Sequence, residues 1–238
     1  MSMLPFRIKI CGLTDPANVR PTVEAGVQAL GFNFYPKSKR YLDAELTPKV
    51  AIEIPPHVSR VGVFVNATPQ DILSRVGACG LHFVQLHGDE NIEDLKWINA
   101  SLSSLAKLPA IIKAIRLQSD PEKEIGTYID RCHERGIDLA AILVDAFSTA
   151  DYGGTGERAN WTALGRWTDR RGVPLILAGG ITPENVAEAI ATVRPDAIDT
   201  ASGVESSPGI KDPDKVRRLV AAATAAWKSI EPTTQEGV

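Results

Sequence analysis

Two side chains of this sequence could exchange protons with a bound molecule. Cys11 ends the strand-like run Arg7–Cys11 and precedes Gly12, and Asp145 ends the apolar run that starts at Leu139. A thiol works as a base only once ionised, so its pKa must fall from about 8.5 toward neutrality. A carboxyl at the end of an apolar strand loses water, which raises its pKa and lets it donate a proton. Acid and base roles separate near neutral pH when two groups at one site shift in opposite directions. Each residue type has an ordinary use as well. Free cysteine is commonly a small buried apolar group, and Asp often pins a loop. Position alone divides Cys11 evenly between these uses and favours function for Asp145.

Binding groups accompany them. Arg40, in Lys37-Ser-Lys-Arg40, can grip a carboxylate through two parallel hydrogen bonds, whereas Lys37 and Lys39 read as solvated charges. His87 is a candidate hydrogen-bonding group, either for a substrate or for a neighbour of one. Gly179-Gly180 and Ser202-Gly203 stand at the ends of two later apolar runs. Glycine lets bare N–H groups approach a phosphate, and a helix N-terminus adds its positive dipole. Gly153-Gly-Thr-Gly156 is a further glycine loop able to close over a ligand, which adds Gly154 to the binding set. It is not a P-loop, since no Gly-Lys-Ser/Thr follows, and as a dinucleotide fingerprint it lacks an acid ~20 residues on. Lys9, two residues before Cys11, is expected to lie too deep to act on the thiol. Cys79 and Cys132 are assigned to structure, and His57, His82 and His133 carry no signal.

A regular beat supplies the elements that must position these residues. Apolar runs recur at Arg7–Cys11, Ala29–Phe34, Val58–Val65, Phe83–His87, Ala110–Leu117, Leu139–Ala146, Pro174–Gly180 and Ala197–Gly203. They start about 27 residues apart on average, the length of one strand–helix unit. Several are almost wholly apolar, as strands covered on both faces are. Between them, Asp15-Pro16 opens a helix that Pro21 should kink or shorten. Thr47–Ile54 reads as a short helix, Asn91–Lys107 as a long amphipathic one, and Pro121–Arg135 as a charged one. Pro183–Thr192 takes Thr182 as its cap, and Asp212-Pro213 opens a last helix through Lys228. Eight such units match a closed α/β (β/α)8 TIM barrel better than an open doubly wound sheet. No linker composition divides residues 1–230, which are expected to form one domain, with a disordered polar tail over 231–238. In a barrel the chemistry sits at the C-terminal ends of the strands, and phosphate sits after the seventh and eighth. That rule gathers the residues named above on one rim.

Composition narrows the classes. The chain has 238 residues, 44% hydrophobic and 23% charged, with a net charge of −3. This is a soluble globular composition, and a mildly acidic chain is a poor candidate for nucleic acid. No apolar run approaches the ~18 residues a membrane helix needs. Three widely spaced cysteines without a CxxC give no metal pattern and suit free thiols in a reducing, cytoplasmic setting. The opening residues carry no secretory signal.

The same segments resemble the phosphoribosylanthranilate isomerases. The stretches are Lys9-Ile-Cys-Gly-Leu-Thr14, Gly31-Phe-Asn-Phe-Tyr-Pro-Lys-Ser-Lys-Arg-Tyr41, Val61-Gly-Val-Phe-Val-Asn66, Val84-Gln-Leu-His-Gly88, Asp145 with Gly153–Gly156, Ala178-Gly-Gly-Ile-Thr-Pro-Glu-Asn-Val186, and Ser202-Gly-Val-Glu205 with Pro208-Gly-Ile-Lys-Asp212. They follow the family order along nearly the whole chain. The resemblance implies a (β/α)8 barrel and an Amadori rearrangement of N-(5-phosphoribosyl)anthranilate, with a phosphosugar as partner and neither metal nor organic cofactor. It implies Asp145 as general acid, Cys11 as general base and Arg40 on the anthranilate carboxylate. The glycine-rich strand ends would take the phosphate. Three positions depart from the family. Lys39 replaces a frequent proline, Ala201 a frequent serine, and Glu157-Arg-Ala-Asn-Trp161 the usual Lys-Thr-Phe-Asp-Trp.

Two other readings stay open at this point. A Schiff-base lyase would use a desolvated lysine, Lys9 or Lys113, to attack a carbonyl. A non-catalytic phosphosugar-binding protein would use the glycine turns alone.

Overall fold

The computed structural model describes residues 4–105, 107–117, 120–145 and 161–231. Eight strands close into a parallel barrel in chain order: β1 (Ile8–Cys11), β2 (Ala29–Asn33), β3 (Ser59–Phe64), β4 (Phe83–Leu86), β5 (Ala110–Arg116), β6 (Leu139–Asp145), β7 (Leu175–Ala178) and β8 (Ala197–Thr200). The seam pairs Ile8 with Ile198, Lys9 with Asp199 and Ile10 with Thr200. The eight expected runs all become strands, and each ends up to three residues before the expected end.

Period two divides the side chains of every strand. Ala29, Val61, Phe83, Ile112, Ala114, Ala141, Leu143, Ile176, Ala178 and Ala197 form one inner cluster, while Ile8, Ile10, Leu30, Val84 and Ile198 pack outward with the helices. Phe6 belongs to the inner cluster and meets Phe83 edge to face at 5.5 Å, which seals the N-terminal end of the barrel. Such an aromatic pair adds about 0.5–1.5 kcal/mol beyond its buried area.

Helices α1 (Val19–Glu24), α2 (Leu46–Ile52), α3 (Pro69–Cys79), α4 (Ile92–Leu102), α5 (Thr127–Glu134), α6 (Trp161–Arg166), α7 (Val186–Val193) and α8 (Pro213–Ile230) follow the strands. Their starts are written locally. Asn91 accepts from Glu93 N and Asp94 N while the Asp94 carboxylate accepts from Asn91 N, a closed capping box. Asp212 accepts from Asp214 N and Lys215 N, with Pro213 at the first helical position. α1 spans only six residues around Pro21, as expected of a shortened helix. Three differences matter. α7 starts after Asn185, because Thr182 is tied into a turn in which Asn185 Oδ1 accepts its N–H. α5 is preceded by a π-helical turn, Glu122–Gly126. A small antiparallel hairpin, β9 (Glu205–Ser207) and β10 (Ile210–Lys211), stands between β8 and α8, where none was expected.

Glu231, expected in a disordered tail, ends α8 and pairs with Arg7. Residues 232–238 lie outside the described residues. No helix among the described residues is long and apolar enough to cross a membrane.

Candidate active site

Inward positions of the strands end in chemistry at one rim. On β6 the inward series is Ala141, Leu143, Asp145; on β4 it is Phe83, Gln85 and then His87 just beyond the strand; on β1 it is Lys9, Cys11. Because residues two apart share a face, Cys11, His87 and Asp145 look into the same C-terminal mouth. A cavity of about 270 Å³ opens between the ends of β4 and β5, bordered by His87, Lys113, Ala114, Arg116 and Tyr128. Gly154 lies outside the described residues, as does the whole Gly153–Gly156 loop.

The Cys11 side of the rim is densely wired. Lys9 is fully buried and donates to Asp199 Oδ2 at 2.9 Å across the barrel seam. Asp199 Oδ1 is buried without a hydrogen-bond partner among the described residues. Gly31, on the neighbouring strand, leaves the room this needs: a Cβ there would stand 2.8 Å from Cys11 Sγ and 3.0 Å from Lys9 Nζ. Thus Lys9 and Cys11 crowd one point, and the expectation that Lys9 lies too deep is overturned. The strand places its Cα below Cys11, but four methylenes carry the ammonium up to the sulfur.

Charge and burial oppose each other at this thiol. Burial pushes Cys11 up, Lys9 and Lys211 pull it down, Asp199 adds to the rise, and the thiol stays above its ordinary value. The fall expected of a base is therefore absent. Burial works against the Lys9 ammonium too, yet Asp199 and Cys11 hold it above its usual range. Lys9 is a cation, not a free amine.

Arg40 is present and already engaged. Its Nε and Nη2 donate to the two Glu205 oxygens at 2.8 and 2.7 Å. Glu205 also accepts from Lys211 Nζ at 2.7 Å and from Gly209 N at 3.1 Å. Burial opposes the Glu205 carboxylate, but Arg40 and Lys211 together hold it below its ordinary range. The Arg40 stem crosses Gly12, whose φ of +75° and missing Cβ allow the approach: an added Cβ would meet Arg40 Cδ at 2.5 Å. The side fork of the guanidinium faces Glu205, which leaves Nη1 and the end fork for a ligand carboxylate. Ser38 Oγ accepts from Arg40 N, so the loop is held despite Lys39. Lys37 and Lys39 are exposed, as expected.

On the opposite side, His87 Nε2 stands 3.5 Å from Asp145 Oδ2, with both side chains partly exposed. Gln85, fully buried, places Nε2 3.0 Å from His87 Nδ1. With the amide nitrogen donating, the imidazole proton resides on Nε2 and faces Asp145. Gln85 Oε1 has no partner among the described residues. His87 is thereby a neighbour of Asp145.

The glycine turns after β7 and β8 use conformations and approaches that a side chain would block. Gly179 and Gly180 adopt φ of +82° and +61°. Asn185 Nδ2 donates to Gly180 O at 2.8 Å. Gly203 must lack a side chain, since a Cβ would fall 1.9 Å from Ile181 O. Ser202–Val204 form a short 3-10 turn, whose first N–H groups have no partner within it. Where Ala201 departs from the family, its carbonyl receives Lys211 Nζ at 3.4 Å.

Other residues fill structural places. Cys79 and Cys132 are buried, and burial pushes both thiols up to about 11. Lys113 donates to Glu90 Oε2 at 2.7 Å and to Gly88 O, which anchors the loop carrying His87. No group of three or more His, Cys, Asp or Glu among the described residues could hold a metal ion. Sequence reading missed Asp199, Glu205, Lys211 and Gln85. Inward parity could have found Gln85 and Asp199; Glu205 and Lys211 stand in stretches that carry the family resemblance, but no spacing rule shows that they pair.

A closed parallel barrel with its ionisable side chains gathered on the C-terminal rim defines the class of (β/α)8-barrel enzymes. Residues 8–222 match the family model of N-(5'phosphoribosyl)anthranilate (PRA) isomerase, and the chain belongs to that family. It is 43% identical over 229 residues to the N-(5'-phosphoribosyl)anthranilate isomerase of Syntrophus aciditrophicus, covering 96% of this chain and 91% of the relative. The crystal structure of the Thermotoga maritima phosphoribosyl anthranilate isomerase superimposes with a TM-score of 0.78 at 40% identity, covering 92% of this chain and 99% of that one. A phosphoribosyl anthranilate isomerase in complex with reduced 1-(o-carboxyphenylamino)-1-deoxyribulose 5-phosphate gives 0.75 at 38% identity, with 92% and 99% coverage.

Proposed function

We propose that this chain catalyses the Amadori rearrangement of N-(5-phosphoribosyl)anthranilate to 1-(2-carboxyphenylamino)-1-deoxyribulose 5-phosphate, in tryptophan biosynthesis, by general acid–base catalysis. The observation that carries it is the shared inward parity of Cys11 and Asp145 at one barrel mouth, in a chain of this family.

In this reading Asp145 gives a proton to the furanose ring oxygen. The C1–O bond breaks as the anilino nitrogen forms a Schiff base. Cys11, as thiolate, takes the C2 proton, and the electron pair left behind gives an enolamine. C1 then gains a proton as the C2 hydroxyl gives its own up, which yields the ketone. Acid and base each supply about 10²–10⁴-fold. The end fork of Arg40 takes the anthranilate carboxylate, and the turns at Gly179-Gly180 and Ser202-Gly203 take the phosphate. Gly154 belongs to the same substrate-binding set. The reaction belongs in the cytoplasm, where free thiols stay reduced.

The lyase reading fares worse. Lys9 and Lys113 each hold a carboxylate at hydrogen-bond distance, so neither offers a free amine to a carbonyl. The test is the anthranilate fluorescence of freshly made substrate. Decay with this protein alone, without added cofactor, is expected; a stable signal would reject the assignment.

A further inference from the structure

The mechanism uses Cys11 but gives no use to the two buried charges beside it. A lysine that is fully buried, tied to an aspartate with one oxygen unpartnered among the described residues, is costly to keep. Replacing such a pair with apolar side chains is often neutral or stabilising, so stability does not account for it. Its position does. Lys9 Nζ and Cys11 Sγ both press on the space above Gly31, and Asp199 fixes the ammonium from the far side of the seam.

We propose that Lys9, held by Asp199, is the positioning residue that makes Cys11 usable as a base: it sets its positive charge beside the sulfur and balances the thiolate when the proton leaves. The proposal rests on the assignment of Cys11 as the base. The charges around the sulfur fit it. Lys9 faces Cys11 from β1, Asp199 from β8, Lys211 from β10 and Arg40 from the loop after β2, and Glu205 on β9 binds both Lys211 and Arg40. Three cations and two carboxylates leave one positive charge uncompensated while Cys11 is a thiol. Ionisation of Cys11 brings the cluster to neutrality, so the sulfur loses its proton into a site already short of one negative charge. Burial resists that loss, and Lys9 is the cation nearest to opposing it. The same ammonium cannot be the base, because Asp199 and Cys11 keep it protonated.

The sign differs for the two partners, which a purely structural role would not produce. Removing Lys9 removes the counter-charge, so the thiol holds its proton to higher pH. Removing the Asp199 charge leaves Lys9 acting on the sulfur alone, so the thiol ionises at lower pH. The experiment measures iodoacetamide alkylation of Cys11 against pH, read at the Cys11 peptide by mass spectrometry, beside the pH profile of kcat/KM. Lys9→Met should move both curves up by about one pH unit or more, and Asp199→Asn should move both down, as charge partners at this range do. Lys9→Arg should restore part of the wild-type position. Lys9→Met leaves a buried carboxylate alone and can unfold; the double variant Lys9→Met/Asp199→Asn then keeps the interior neutral and should still alkylate at higher pH than wild type. Folded Lys9 variants that alkylate along the wild-type curve, or that move alkylation without moving kcat/KM, overturn the proposal. Cys11→Ala tests the base itself: if it keeps wild-type turnover, the assignment of the base fails, whatever Lys9 does to the sulfur.

Discussion

The two sides of the barrel mouth are built by different means. Around Cys11, five charged side chains from β1, β8, the hairpin and the loop after β2 interlock, most of them buried. Beside Asp145 stands His87 at 3.5 Å, itself steered by Gln85, and both side chains of the pair are partly exposed. A base that must become an anion in a dry place needs cations close by, and those cations need anions to hold them. A carboxyl that donates its proton and takes one back works at the partly exposed edge of the mouth. Changes around Cys11 should therefore spread through its network of charges, whereas changes at Gln85 should act through His87 alone.

The largest effects test whether both sides are needed. Cys11→Ala and Asp145→Asn are each expected to lower kcat by at least ~100-fold with the barrel intact by circular dichroism. Near-native turnover in either would remove that residue from the mechanism. Next, Glu205→Gln should disturb the base side broadly. It leaves Lys211 and Arg40 short of a counter-charge, so stability should fall by about 3 kcal/mol in denaturant titrations, and KM should rise as Arg40 loses its anchor. The sign with pH follows. Glu205 is held below its ordinary 4.5 in the folded state, so its contribution is complete above that value and is lost as pH falls through the folded one. The stability gap between wild type and variant should narrow below pH 4.5. A gap that stays constant down to pH 3 would deny the carboxylate this role. The smallest effect belongs to the acid side. Gln85→Leu should lower kcat a few-fold by releasing the His87 tautomer while leaving stability nearly unchanged, because an unpartnered Oε1 leaves with the amide. A loss as large as that of Asp145→Asn would show that the acid side is not local after all.

The barrel was legible because strands buried on both faces write themselves as apolar runs, and their ends then select Cys11, Asp145, His87 and the two glycine turns. What stayed hidden was long-range. Lys9 and Asp199 lie 190 residues apart, and Arg40 and Glu205 lie 165 apart, so no spacing rule connects them. Lys9 was visible but misread, because depth along a strand was taken from Cα while a lysine acts through the end of its stem. The hairpin β9–β10 gave no signal: its strands have three and two residues, around Gly209. The start of α7 was misplaced for a local reason: Thr182 Oγ1 accepts from Glu184 N in a turn before the helix, and Asn185 Oδ1 is taken by Thr182 N.

The seam between the first and last strands has a temporal meaning. Lys9 is made 190 residues before Asp199, and Glu205 and Lys211 follow later still. A nascent chain on the ribosome can thus display its acid, on the sixth strand, long before the surroundings of its sulfur exist. The counter-charges of the sulfur therefore come together only when the cylinder shuts, once the chain has passed Lys211.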